Sequence, residues 1–435
     1  MVRRGPAPLS YDAISPIDGR YREEAAPLAA YFSERALVEE RVKVELSYLS
    51  LLVKLKVAPR ARVPSIIPTI AEVKKIEGKL GHDVKAVEVS LRESLIRSGS
   101  KKLAPYVHIG LTSEDTNSLA FASLLRESIL KVMFPAYAHL ASDLAALASR
   151  ESSTVMAART HGRPAVPTTF GKEMSVFAVR MAERASALRS LKPMAKFSGA
   201  VGTFASFTLL GKRKWQRDLA EFVESFGVDA APYSTQVVPG ERLSDILHYL
   251  ININQLILSL CRDLWLYQAL DFVRFERPGK VSSSTMPQKV NPVDLENAEG
   301  QVEVSNSLLT LLAYRLQVTR MQRDLSDSVI RRMVGQGFAH SLVAAMRVRA
   351  SLSSMKVDRR AMAEDLRRHP EVYAEKEQIL LRLKGDERGY EKVKSDIERG
   401  RFSARSVARN EYLGYAVRLA KECPGIVNSL LKTSS

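Results

Sequence analysis

The stretch "LININQLILSLCRDLWLYQA" (250–269) is the most apolar run in the chain, and its reading separates two kinds of protein. A membrane-spanning helix needs about 20 consecutive, predominantly apolar residues. Here Asn252, Gln255, Ser259, Arg262 and Asp263 interrupt the run at helical spacing, which predicts a buried amphipathic helix and not a span. The same period governs the rest of the chain. In "ALVEERVKVELSYLSLLVKL" (36–55), Val38, Val42, Glu45, Leu49 and Val53 form one stripe, apolar apart from Glu45, and Leu46 and Leu52 a neighbouring one. "LAFASLLRESILKVMFPAYAHLASDLAALASR" (119–150) predicts a long helix kinked at Pro135. Residues 172–192, 241–275, 293–320 and 327–356 repeat the pattern, and few stretches alternate as strands do. The expected fold class is all-α: long helices packed on one another and on copies of the chain.

A chain of 435 residues exceeds one hydrophobic core, so several domains are expected. We place an N-terminal helical domain at 1–107, a central long-helix bundle at 108–347 and a smaller basic C-terminal domain at 348–435. The composition, 46% hydrophobic and 26% charged, is that of an ordinary globular protein. "MVRRGPAPLS" (1–10) lacks the apolar core of a secretory signal, and Cys261 and Cys423 make neither a disulfide framework nor a zinc pattern; both facts point to the cytoplasm. The net charge of +17 is the compositional outlier. The basic residues are spread along the chain without a nucleic-acid-binding motif, so weak, salt-sensitive, non-specific binding is the most expected of nucleic acid. A small polyanionic substrate would need only a few of these charges.

Gly, Pro, Ser and Thr gather between the helices at 160–171, 193–213, 228–241 and 276–292, and loops on a rigid scaffold are where chemistry concentrates. In "SSSTMPQKVNP" (282–292), Lys289 and Asn291 alternate between Pro287 and Pro292, so both side chains are able to donate to one oxyanion. Ser283 and Ser284 reach the same spot if the loop curls, and surrounding donors make a serine alkoxide accessible. "THGRPAVPTTFGKEM" (160–174) sets His161 between Thr160 and Gly162 in a rigid frame, and histidine suits proton exchange near neutrality. "LTSEDTNSLA" (111–120) reads as a helix start capped by Thr112 or Ser113. Such an end either is only a cap or also holds a carboxylate on its N–H groups.

These segments carry a resemblance. "SSSTMPQKVNP" resembles the signature loop of the fumarase/aspartase superfamily, G-S-S-x-M-P-x-K-x-N-P, whose members release fumarate by β-elimination. "SPIDGRY" (15–21), "HDVKAVE" (82–88), "TSEDTN" (112–117), "RTHGRPAVPTTFGKEM" (159–174), "PYSTQ" (232–236), "NPVDLENAEG" (291–300) and "QRDLSDSVIRR" (322–332) are similar, in order, to segments of bacterial-type adenylosuccinate lyases.

The resemblance implies three all-α domains, a tetrameric helical core and active sites built from loops of three subunits. It implies no metal or organic cofactor. It gives His161 the role of acid toward the departing purine nitrogen and Ser283 that of base toward the succinyl Cβ proton. Lys289 and Asn291 would stabilise the aci-carboxylate, with Met286 lining the loop and Thr160 beside the acid. Arg20 and Tyr21 correspond to nucleotide contacts, as do Arg323, Ser328 and Arg332 near the phosphate. His82 with Asp83, Thr112 with Ser113, and Gln236 and Asn297 correspond to further substrate ligands. The chain departs from the family pattern at Gly81 for Asn, Arg163 for Gln, Ser282 for Gly and Gln288 for His, and "GAVGTFASF" (199–207) keeps the glycines but lacks the usual polar pair after them. The expected activity is cleavage of adenylosuccinate, and of the succinylaminoimidazole-carboxamide ribotide, with release of fumarate. The competing expectations are a sister lyase acting on argininosuccinate or malate, and a silent basic descendant that binds nucleic acid.

Overall fold

The structure is a computed structural model, described here over residues 12–276, 285–286, 288–403 and 412–432. It is helical almost throughout, and the chain divides into two compact units. The first comprises Met1–Pro135, Ala187–Asn252 and Glu303–Val343; the second comprises Ala136–Ser186, Ile253–Val302 and Ala344–Ser435.

In the first unit, helix α1 (Glu34–Lys54) starts at Ser33, whose hydroxyl accepts the Ala36 N–H at 3.2 Å. Of its two expected stripes, Val38, Val42 and Leu49 of one and Leu52 of the other are buried, while Val53 and Leu46 are half-buried. They meet α2 (Ile70–Leu80), α3 (Asp83–Arg97) and α4 (Ser113–Ser128) in one core, completed by Phe197, Phe207, Trp215 and Phe222. The Tyr48 ring lies 5.3 Å from that of Phe197, and its hydroxyl donates to the Ile109 carbonyl at 2.9 Å. Glu45, the exception in the stripe, is 1% exposed. It accepts from the Thr116 hydroxyl at 2.7 Å and pairs with His108 Nδ1 at 2.7 Å. Burial opposes charge on the imidazole, but the Glu45 carboxylate prevails and raises its pKa.

The helix expected over 119–150 is interrupted. α4 gives way to a π-helical turn at Ile129–Met133, and α5 (Phe134–Arg150) follows. Pro135 has no N–H to offer the preceding turn and its ring crowds it, so the wider turn absorbs the mismatch.

The second unit contains a hairpin, β1 (Val155–Thr160) and β2 (Arg163–Thr169), followed by α6 (Phe170–Ser190). The break read at 160–171 is therefore mostly strand. Pro164 and Pro167 pair with Arg159 and Ala157, and a two-stranded sheet has only edges, where proline is tolerated. α7 (Trp215–Glu224) lies in the first unit, and α8 (Glu241–Ala269) starts there and continues into the second from Ile253. The helix expected over 241–275 ends early, because Asp271 takes a left-handed conformation (φ 58°) and Val273–Phe275 pairs with Met355–Val357. α9 (Val293–Arg315), α10 (Ser326–Arg331) and α11 (Val334–Ser354) follow. α12 (Arg359–Arg368) packs on the hairpin, with Ala157, Leu366, Val372 and Tyr373 in a small core of their own. Arg359 forks onto Glu151 at 2.9 and 3.0 Å.

Among the described residues no helix is long and apolar enough to cross a membrane. Cys261 and Cys423 are free and buried; burial pushes the Cys423 thiol up to about 11 and raises that of Cys261 as well.

The buried centre of the first unit is ionic. Lys196 and Asp115, both fully buried, pair at 2.8 Å. Asp115 also accepts the N–H groups of Thr112 (2.9 Å), Ser198 (2.9 Å) and Gly199 (3.2 Å). Breaking a buried pair on one side leaves an uncompensated charge, which costs about 3–5 kcal/mol. Asp115→Ala and Lys196→Met should each lower unfolding stability by roughly that amount, read from urea denaturation. A loss under about 1 kcal/mol in both would refute the central role of the pair.

Candidate active site

A cavity of about 610 Å³ opens in the first unit where the end of α2 and the starts of α1, α3, α4 and α11 converge with α10. Its walls show how the local sequence sets each group. α2 ends on Gly81 in the left-handed region (φ 65°), a helix terminus that glycine, and next to it asparagine, adopts readily. A Cβ built on Gly81 has nothing within 4 Å. His82 follows as the cap of α3, its Nδ1 accepting the Lys85 N–H at 3.3 Å. Asp83 opens the helix, where its charge meets the positive end of the dipole.

Asp83 is the hub of one wall. Its Oδ1 accepts the Val84 N–H at 2.8 Å, and its Oδ2 receives Arg41 at 2.7 Å and Arg332 at 3.4 Å. Burial alone would raise the Asp83 carboxyl, but Arg41, the Val84 N–H and Arg332 outweigh it and hold the pKa below the usual carboxylate value. Arg41 is 3% exposed, is fixed by Asn117 Oδ1 at 2.8 Å, and keeps one nitrogen, Nη1, without a hydrogen-bond partner among the described residues. Arg332 is half exposed and bridges to Glu34 at 3.2 Å. Lys74 holds Glu34 at 2.6 Å and Glu77 at 2.8 Å; for Glu34 the burial effect is overcome by Lys74 and Arg332, and its pKa falls.

The facing wall is the N-terminal turn of α4. Thr112 caps it, with its N–H bonded to the Asp115 carboxylate, so this segment is at least a cap. Ser113 lines the cavity beside Glu114, which is 1% exposed. Glu114 accepts Arg331 at 2.7 Å and Arg323 at 3.3 Å, and Arg331 also reaches Asp327 at 2.7 Å. Arg323 donates to Gln236 Oε1 at 3.3 Å, and Gln236 Nε2 donates to the Ala200 carbonyl at 3.2 Å. Four guanidinium groups are thereby held in fixed directions by carboxylates around a cavity large enough for a small anionic ligand.

Six of the sequence-predicted residues, His82, Asp83, Ser113, Arg323, Ser328 and Arg332, line this cavity, with Thr112 and Gln236 one link away. Arg20 and Tyr21 lie in the same unit but not on the cavity wall. Thr160, His161, Met286, Lys289, Asn291 and Asn297 belong to the second unit. His161 stands exposed at the hairpin tip with φ 54°, followed by Gly162 at φ 73°. Two successive positive φ values are those of the two-residue turn that suits the strand twist. Arg159, one residue before the tip strand ends, is anchored by Asp365 at 2.7 Å and lies over the Phe272 ring at 5.3 Å. Lys289 is exposed and its N–H closes a turn onto the Met286 carbonyl at 3.1 Å; Gln268 steadies the following residue through the Val290 carbonyl at 3.4 Å. Ser283 lies outside the described residues.

Sequence reasoning missed Arg41, Glu34, Glu114 and Arg331. Two of them carried a signal: Arg41 stands one helical turn before Glu45, a second charge beside the apolar stripe, and Glu114 adjoins the capping residues. Among the described residues no group of three or more His, Cys, Asp and Glu side chains is placed to hold a metal ion.

Comparison with known proteins bears on what this arrangement is for. A family profile described as lyase matches residues 19–304, and one described as adenylosuccinate lyase C-terminal matches 319–410. The chain is 35% identical over 411 residues to adenylosuccinate lyase of Haemophilus influenzae, covering 89% of each chain. It is 35% identical over 409 residues to that of Escherichia coli K12, covering 90% of each. Among solved structures it resembles 3-carboxy-cis,cis-muconate lactonizing enzyme from Pseudomonas putida, with a TM-score of 0.75, 18% identity, and 93% of this chain and 97% of that one covered. It also resembles fumarate lyase from Mesorhizobium sp. BNC1, with a TM-score of 0.72, 18% identity, and coverage of 94% and 98%. At that identity the structures speak for the fold alone, the all-α fold of the fumarase/aspartase superfamily. With two profiles matching in order and 35% identity sustained over some nine-tenths of the length, the chain belongs to the adenylosuccinate lyase family.

Proposed function

We propose that the chain cleaves adenylosuccinate to AMP and fumarate, and the succinylaminoimidazole-carboxamide ribotide to the corresponding amide and fumarate. The observation that carries this reading is the arginine-walled cavity: six residues from three separated family segments line one space suited to a small polyanion. In the reaction, Ser283 takes the succinyl Cβ proton. The resulting aci-carboxylate carries two negative charges, which Lys289 and Asn291 stabilise in place. The carbon–nitrogen bond then breaks, its electron pair goes to the purine nitrogen, and His161 supplies the proton there. Thr160, Met286 and Asn297 complete that part of the site. Arg20, Tyr21, Arg323, Ser328 and Arg332 hold the nucleotide end, and His82, Asp83, Thr112, Ser113 and Gln236 hold the rest of the substrate.

The reading includes the three-domain division at 1–107, 108–347 and 348–435, a homotetramer whose sites draw on several subunits, a cytoplasmic location and no cofactor. Assaying purified protein with adenylosuccinate, argininosuccinate and malate side by side tests it. Turnover of adenylosuccinate alone is expected, and preference for either other substrate overturns it.

Three further outcomes are expected. Arg332→Ala and Arg20→Ala should raise KM through loss of a charged hydrogen bond of about 1.5–3 kcal/mol, some ten- to a hundredfold. Unchanged KM in both would remove them from the site.

Gly81→Asn should fold as well as the wild type, because asparagine tolerates the left-handed conformation and open space surrounds the position. It should lower KM by up to about tenfold, the size of one neutral hydrogen bond. If KM for adenylosuccinate rises, the added amide obstructs the substrate and does not contact it.

His161→Ala and Ser283→Ala tetramers, each nearly inactive, should regain activity when mixed, dissociated and reassociated. With the two residues drawn from different subunits, about a quarter of sites in an equal mixture collect both intact loops. Mass-tagged chains report exchange; verified exchange without rescue would mean that both residues come from one chain.

A further inference from the structure

Two stretches far apart in sequence form one basic surface on the first unit. Residues 54–62, "KLKVAPRAR", leave the end of α1, and residues 211–217, "GKRKWQR", lead into α7. Apolar side chains fix both from beneath. Ala58 and Trp215 are buried in the same core cluster, with Leu55, Val57 and Leu210 packed against it. Trp215 Nε1 donates to the Gly211 carbonyl at 2.9 Å, closing the second loop over its own ring. Arg213 then joins the loops directly, donating to the Leu55 carbonyl at 2.7 Å. The first loop is equally well determined: Lys56 takes a left-handed conformation (φ 59°), and the N–H groups of Val57 and Ala58 both return to the Leu52 carbonyl.

The result is a concentration of exposed cations: Lys54, Lys56, Arg60, Arg62, Lys212 and Lys214. None of the six forms an ion pair among the described residues, whereas the arginines of the cavity are all matched by carboxylates. Arg213 and Arg217 beside them share Asp218, at 3.9 and 3.2 Å. Uncompensated like charges held on a rigid frame repel one another and gather counterions, whose release favours a polyanion.

The spread over two loops calls for a ligand with charges in series, which one small anion lacks. Neither loop exposes an aromatic ring, since Trp215 is 3% exposed, so there is no platform on which bases would stack. Leu209 is the large apolar side chain exposed beside the patch; one such anchor gives too little apolar area for a membrane surface. We propose that this surface binds the phosphate backbone of nucleic acid without sequence preference, separately from the small-molecule cavity. This goes beyond the lyase reading and uses none of the residues assigned to it.

The test is fluorescence anisotropy of the full-length protein with a labelled single-stranded RNA of mixed sequence, about 20 nucleotides long, over a series of salt concentrations. Binding should weaken steeply with salt. The variant carrying Arg60→Ser, Arg62→Ser, Lys212→Ser and Lys214→Ser should bind at least tenfold more weakly at low salt. Its slope of log affinity against log salt should be shallower by roughly 2–3, at about 0.7 for each phosphate of a single strand that the protein no longer neutralises. Its turnover of adenylosuccinate should not change. A control removes the same charge elsewhere through Lys384→Ser, Arg388→Ser, Arg399→Ser and Lys421→Ser, and should bind RNA as the wild type does. The proposal is overturned if the wild type fails to bind at low salt, or if the two variants behave alike. It is overturned equally if phosphatidylserine vesicles or polyglutamate bind as tightly as the RNA.

Discussion

The ion pair between Lys196 and Asp115 organises the first unit. An ammonium group sealed from water is tolerable only beside a counter-charge. The chain around residue 196 therefore has one place to go. The N–H groups of Ser198 and Gly199 follow it onto the same carboxylate, so the glycine-rich loop and the start of α4 share one frame. From there the bonds close a ring. The Ala200 carbonyl meets Gln236, Gln236 meets Arg323, Arg323 meets Glu114, and Glu114 is covalently next to Asp115. No member of the ring is able to shift without disturbing a buried charge.

Within the cavity the same logic grades the cations. Arg41 is sealed in, with short contacts to Asp83 and Asn117, and is there to align Asp83. Arg332 is half exposed and held by two longer contacts. A ligand phosphate offers Arg332 a better partner than carboxylates at 3.2 and 3.4 Å do, whereas it has little to offer Arg41 beyond its one unsatisfied nitrogen. Carboxylates thus hold the arginines in place around the cavity with no ligand bound. That orientation lowers the ordering penalty of binding.

Much of this was readable from the sequence because its signals are local. The Val38, Val42 and Leu49 stripe, the Thr112 cap and the order of the loops all rest on spacing within a few residues. The elements that escaped depend on partners far along the chain. Val273–Phe275 is a strand because Met355–Val357 lies beside it. β2 escaped for a different reason, its partner being adjacent in sequence: with only one neighbour it tolerates Pro164 and Pro167. Arg41 and Arg331 have their carboxylate partners, Asp83 and Glu114, 42 and 217 residues away, and only the fold brings them together. Gly81 appeared as a departure; its left-handed φ of 65° is a conformation that glycine adopts freely and asparagine tolerates.

The anchor of the His161 hairpin has a consequence for how the protein is made. Its two strands pair across a two-residue turn and can zip as soon as they leave the ribosome. Arg159, however, finds Asp365 only 206 residues later. At about 5–20 residues per second, synthesis takes roughly 10–40 seconds to deliver that partner. For that interval the nascent hairpin carries an arginine without its carboxylate, and its seat on Leu366, Val372 and Tyr373 does not yet exist. The orientation of the tip histidine is settled late in synthesis, when the stretch containing Asp365 arrives.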